Sequence, residues 1–190
     1  MDKLVFTCSD ALDQAATPSC PVEYGERIVR IMLMKTSDSS NFTSAASDAP
    51  TAAEFEQFIA SGYVTVINGI SNGHKVEISA TELSGDDTTT GGTERHDVIY
   101  RVEGRIRLIS ENLARMTEKL DRYAQLRMWY VTDREYVFGG DTGYLVTPNF
   151  GLRVFEGAGQ PPYIPFFCDF IAIGPDYAVY DADYASLDNT

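Results

Sequence analysis

Chemistry in this 190-residue chain would have to come from two histidines, three cysteines, a pair of aspartates and a row of arginines. His74 and His96 both fall beside segments that read as loops, and neither has a Cys or carboxylate partner at metal-ligand spacing. They read as exposed side chains. Cys8, Cys20 and Cys168 make an odd count without metal-site spacing, so they read as small buried apolar residues. Cys8 and Cys20 are free to pair under oxidising conditions, but nothing demands it. Asp86-Asp87 lacks the EF-hand arrangement of carboxylates around a glycine. A Cys-His nucleophile pair could be assembled only from distant segments, and no nucleophile elbow supports one. No GxxxxGKS loop occurs, and Gly157-Ala158-Gly159 runs into Pro161-Pro162, which cannot open a phosphate-cradling helix. The sequence therefore assigns no catalytic, cofactor-binding or metal residue, calls for no cofactor, and points away from an enzyme.

Arg101, Arg105 and Arg107 form the one basic cluster, spaced to share a strand face. A nucleic-acid grip needs a basic surround that releases counterions, whereas this chain carries a net charge of -13. Cross-strand ion pairs, within the sheet or across a subunit boundary, are the expected role. An acidic surface also suits a conduit that DNA passes without sticking.

The elements that position these residues centre on Asp97 to Thr132. Val98, Tyr100, Val102, Ile106 and Leu108 alternate with Arg101, Glu103, Arg105 and Arg107, the period of a strand with one buried and one wet face. Ser110 stands as an N-cap, and Leu113, Met116, Leu120 and Tyr123 follow at helical spacing, predicting an amphipathic helix over Ser110–Leu126. Arg127 to Thr132 returns as a β-branched and aromatic strand. A helix between two strands buries its stripe only against a sheet.

Before this unit, residues 1–25 read as an extended arm with one short strand near Leu4 to Thr7. Arg27 to Met34 is a strand apolar on both faces apart from Arg30, hence central or covered. Ser37 to Pro50 is a long loop, and Thr51-Ala52-Ala53-Glu54 a capping box opening a short helix to Ala60, closed by Gly62. Tyr63 to Ile67 and Lys75 to Leu83 read as a hairpin about Asn72-Gly73. Ser84 to Thr93 is a polar loop.

After the unit, Asp133-Arg134-Glu135 turns tightly into Tyr136-Val137-Phe138, which ends at Gly139-Gly140. Gly143 to Gly151 reads as irregular, Leu152 to Phe155 as a short strand, and Gly157 to Pro162 as a break. Tyr163 to Ile173 is the last strand, which Pro165 places at an edge or a bulge. The tail from Pro175 is too aromatic for solubility alone, with Tyr177, Tyr180 and Tyr184, and reads as a docking segment for a partner. The expectation is a mainly β, α+β fold: a β-sandwich or barrel with a packed helix Ser110–Leu126, a short helix Thr51–Ala60 and long loops. It comprises an arm (1–25), one domain (26–174) and a tail (175–190). No apolar run approaches the roughly eighteen residues of a membrane span, and the N-terminus has no signal-peptide core, so no membrane partner is expected.

In layout the chain resembles the virion structural proteins of tailed bacteriophages, particularly tail tube (major tail) proteins of phages infecting Bacteroidota. The stretches that carry the resemblance are GERIVRIMLMK, KVEISATELSGDDTTTGGTE, the strand-helix-strand from Asp97 to Gly140, TGYLVTPNFGLRVF and YIPFFCDFIA, which lie within residues 25 to 173. It implies a subunit that self-assembles into hexameric rings stacked as a tube, in the virion tail, after synthesis in the bacterial host cytoplasm. It implies other tail and neck proteins and a tape-measure protein as partners, with DNA passing unbound. It makes Asp97 to Ile109 an inner-barrel strand and the loops Ser37 to Pro50 and Ser84 to Thr93 stacking contacts. Three alternatives stand beside it: another virion component (neck, tail terminator or capsid decoration), a carbohydrate-binding β-sandwich with an aromatic platform at Trp129, Tyr130 and Tyr136, and a hydrolase using scattered Cys, His and Asp.

Overall fold

The computed structural model describes residues 27–41, 50–84, 93–107, 109, 125–157, 159–171, 178–180, 183–184 and 187. The N-terminal arm, with Cys8 and Cys20, lies outside them. So do the body of the predicted helix Ser110–Leu126, Asp86-Asp87, and most of the two long loops. The strands are β1 (Ile28–Lys35), β2 (Val64–Ile67), β3 (Ile70–Ser84), β4 (Thr93–Ile106), β5 (Leu126–Thr132), β6 (Tyr136–Phe138), β7 (Tyr144–Phe150), β8 (Ile164–Ile171) and β9 (Ala178–Tyr180). A 3-10 helix spans Thr36–Asn41 and one α-helix, α1, spans Ala52–Ala60.

Six strands close an antiparallel barrel in the order β1-β3-β4-β8-β7-β5, sealed by the pairing of β1 with β5 from Lys35↔Leu126 to Ile28↔Thr132. Closure removes sheet edges that would otherwise stand open. The fold is thus mainly β, with a single short helix among the described residues. β2 extends the sheet beyond β1, while β6 and then β9 extend it beyond β5.

β1 and β5 are apolar on both sides, as the sequence of Arg27 to Met34 requires. Ile31 and Leu33 face the barrel interior with Met128 and Tyr130, Val102, Ile106, Phe166 and Phe170. The alternate residues Met32, Met34, Trp129 and Val131 face outward, into a second core beneath α1. The capping box holds α1 in place: Thr51 Oγ1 accepts from Glu54 N–H at 3.3 Å, and Thr51 N–H donates to Glu54 Oε2 at 2.8 Å. Gly62, at φ +74°, lets the chain turn back with Tyr63 N–H donating to the Phe58 carbonyl.

The described residues of the tail, 178–180, 183–184 and 187, include Tyr184 and Leu187, which pack into this same layer of the chain. Ala178–Tyr180 pairs with β6, and Tyr184 is fully buried with its hydroxyl donating to the Pro50 carbonyl. Phe55 lies edge-on to both Trp129 (5.4 Å between ring centres) and Tyr184 (6.1 Å). Arg30 donates to the Tyr184 carbonyl at 2.6 Å and to Asn68 Oδ1 at 2.5 Å. The tail therefore runs as a strap from β6 toward β2. The indole of Trp129 donates to the Gly140 carbonyl at 2.8 Å, and side chains at Gly139 or Gly143 would strike its ring.

Several expectations are corrected. Asn72-Gly73 is not a hairpin turn but a bulge inside β3: Ser71 opposes Arg105 and His74 opposes Glu103, one residue extra on β3. Asn72 takes φ +54°, and Gly73 is needed because a Cβ there would collide with the Ile28 carbonyl where β1 meets β3. Leu126 opens β5 instead of closing a helix, since it pairs with Lys35 and Val146. Gly143 to Gly151 is not irregular but contains β7. Its Pro148 is tolerated because the Gly151 N–H bond to the Pro165 carbonyl fixes the ladder phase. That phase turns the Pro148 nitrogen away from β8, toward the side where the described pairing with β5 reaches only Val146. Leu152 to Phe155 makes only one isolated bridge, Val154↔Tyr163, and is not a strand. β8 is not an edge strand, as it lies between β4 and β7; Pro165 falls where the ladder to β7 ends.

Two outcomes test this packing. Tyr184→Ala should cost about 3–5 kcal/mol in urea unfolding, and Tyr184→Phe, which strands the Pro50 carbonyl, about 1–3 kcal/mol. Gly73→Ala should cost roughly 1–3 kcal/mol through overpacking at the barrel corner; an unchanged midpoint would mean that the corner is loose.

Candidate functional site

The outer face of β4 gathers the residues that sequence reasoning singled out. Val102 and Ile106 point into the barrel, so Arg101, Glu103, Arg105 and Arg107 point out. Arg101 sits opposite Asp169 on β8 and grips it with two bonds, Nε to Oδ1 at 2.7 Å and Nη2 to Oδ2 at 2.9 Å. That carboxylate is the main reason the guanidinium holds its proton more tightly than usual. Glu156 takes Arg105 at 2.9 Å and Arg107 at 3.5 Å. Arg107 Nε also donates to Ser71 Oγ at 3.0 Å. Each guanidinium lies over a ring: Arg101 above Phe167 at 4.3 Å, and Arg105 and Arg107 above Tyr163 at 4.7 and 5.9 Å. The expected ion pairs are therefore made within one chain. Half-exposed pairs of this kind contribute up to about 1 kcal/mol each, so their effect is more to orient than to stabilise.

Beside this row lies a shallow cleft of about 480 Å³, lined among others by His74, Glu103, Asn149, Tyr163, Pro165 and Phe167. His74 Nδ1 donates to the Asn72 carbonyl at 2.9 Å, and its Nε2 lies 3.2 Å from Glu103 Oε1. A His-carboxylate pair is the fragment of an acid-base site, but no Ser, Thr or Cys lines the cleft among the described residues. Cys168 does not complete it. That residue pairs with Val102 and points into the barrel, on the other side of the sheet from His74. Burial pushes its thiol up from 9.0 to about 12, with the neighbouring Asp169 carboxylate adding to the shift. His96 lies on β4 with its side chain outside the described residues. No group of three or more His, Cys, Asp or Glu among the described residues is placed to hold a metal ion.

Trp129 and Tyr130 are both buried, on opposite faces of β5, and Tyr136 lies at a tilt against Tyr180, so these three residues do not share one exposed aromatic face. Sequence reasoning missed Glu156 and Tyr163. They flank a Gly- and Pro-rich break, and only the Val154–Tyr163 bridge swings them over the arginines. No family model matches the chain, and no curated protein is similar to it in sequence.

The Cys168 thiol gives a signed pH dependence. Its folded pKa lies above its unfolded one, so its contribution is complete below pH 9 and is lost as the pH rises toward 12. Stability should fall by up to about 1.4 kcal/mol per pH unit across that window. Alkaline unfolding of Cys168→Ala should lack this slope, and iodoacetamide should label Cys168 in a Cys8→Ser/Cys20→Ser background only after unfolding.

Proposed function

We propose that the chain is a non-enzymatic structural subunit of a tailed-phage virion, and specifically a tail tube protein whose copies complete one another's sheets. The observation that carries this reading is the ribbon formed by the outer halves of β3 and β4. The described pairing of β4 with β8 reaches Ile99↔Ile171, and β3 and β4 run on together to Ser84↔Thr93. On β3, the described strand pairing along the edge away from β4 is the one with β1 at Gly73. A two-stranded ribbon that runs on past the described barrel pairings is a template for another strand. A bulge at Ile78, between Glu77↔Tyr100 and Ser79↔Ile99, twists it, so it would accept a partner of matching shape.

The resemblance supplies the particular assembly. Copies arranged head to tail around an axis close a ring, and rings stack through loops. Excess negative charge suits a lumen through which genome and tape-measure protein slide. Neck and other tail proteins would abut the ends of the tube.

Negative-stain microscopy of the purified chain over a concentration series tests this. Stacked rings or tubes are expected. Single rings that never stack would favour a neck, terminator or decoration protein, and monomers at every concentration would contradict self-assembly altogether.

A further inference from the structure

The segment after β7 presents apolar side chains to water from a braced mount. Leu152 is 89% exposed and Phe155 73% exposed. Isolated exposed apolar residues are ordinary, but these two lie three residues apart on a segment that is held in place. Val154 and Tyr163 exchange backbone hydrogen bonds at 2.8 and 3.1 Å, and Gly151 N–H donates to the Pro165 carbonyl at 2.8 Å. Glu156, next to Phe155, is fixed by Arg105 and Arg107. The arginine face of β4 thus serves as an anchor that keeps Leu152 and Phe155 pointing outward.

We infer that this ridge inserts into the cleft of a second copy of the chain. The inference rests on the self-assembly reading and names the surfaces that would carry it. The cleft has the size of a small-ligand site, room for two apolar side chains, and Tyr163, Pro165, Phe166 and Phe167 give it apolar walls. On its own chain the ridge is kept out: Gly151 and Tyr163 form part of the cleft wall, while Leu152 and Phe155 do not line it. Charge selects the same partner. Arg153 on the ridge is exposed and has no ion pair among the described residues. Glu103, on the cleft wall, is 38% exposed at its side chain and engages His74 alone among the described ion pairs. For copies that each carry a charge of -13, an apolar ridge with a cation is the surface least opposed by repulsion. Ridge and cleft are different surfaces, so the contact is heterologous and propagates from copy to copy, as a ring or filament requires.

Sedimentation velocity on complementary variants tests the inference. The ridge variant is Leu152→Asp with Phe155→Asp; the cleft variant is Asn149→Trp, which fills the cleft from an exposed position on β7. Circular dichroism checks that both fold. Wild type should grow with concentration, and each variant alone should associate at least tenfold more weakly. An equimolar mixture should form a heterodimer and stop there, because one intact ridge meets one intact cleft. Variants that assemble like wild type, or a mixture of folded variants that stays monomeric, would overturn the ridge-in-cleft contact while leaving self-assembly standing. Wild type that stays monomeric would overturn both.

Discussion

The structure depends on a two-strand seam that must be apolar on both sides. β1 and β5 close the barrel by pairing with each other, and neither shows a face to water along most of its length. One face is the barrel lining; the other carries α1 and the C-terminal strap. A strand buried twice cannot alternate apolar with polar, which is why Arg27 to Met34 and Arg127 to Thr132 are nearly continuous apolar runs. The exceptions confirm the constraint physically. Arg30 spends its guanidinium on the Tyr184 carbonyl and Asn68, and Arg127 donates to the Gly143 carbonyl. Arg127 is met only in part, because its Nε is buried with no hydrogen-bond partner among the described residues.

The opposite sheet obeys a different rule. Its inner face is apolar, but its outer face, on β4 and β8, is charged and aromatic, with guanidinium groups stacked on Phe167 and Tyr163 and tied to Asp169 and Glu156. Such an arrangement ties its cations to carboxylates of the same chain. What it does accomplish is to pin the segment from Gly151 to Tyr163 against the barrel. An ionic cluster that contributes modestly to stability can still decide where a loop stands.

Features written in adjacent residues were legible in the sequence. The capping box at Thr51 and Glu54, the turn at Asp133 to Glu135, and the doubly apolar strands all follow from local rules. Features decided by distant partners were not. Asn72-Gly73 has the backbone preferences of a hairpin turn and of a bulge alike; pairing with Glu103 and Arg105 chooses the bulge. Pro148 argues against a strand until its nitrogen is seen to face away from β8. Tyr184 reads as part of a tail that docks on a partner, and its fit beside Phe55 in the layer with Trp129 makes it core of its own chain. For the candidate site, the ion pairing of Arg101, Arg105 and Arg107 was foreseeable from charge balance, whereas Glu156 as a shared partner required knowledge of the bridge at Val154.

The seam is finished on both sides within one chain; on the proposed reading, the β3–β4 ribbon is completed by another copy. Hydrogen exchange with mass-spectrometric readout, run from dilute to concentrated protein, addresses that claim at the backbone where it is made. The account predicts that amides on the margins of the β3–β4 ribbon become protected as concentration rises, while β1 and β5 are slow throughout. Ribbon amides that exchange at the same rate at every concentration would contradict it.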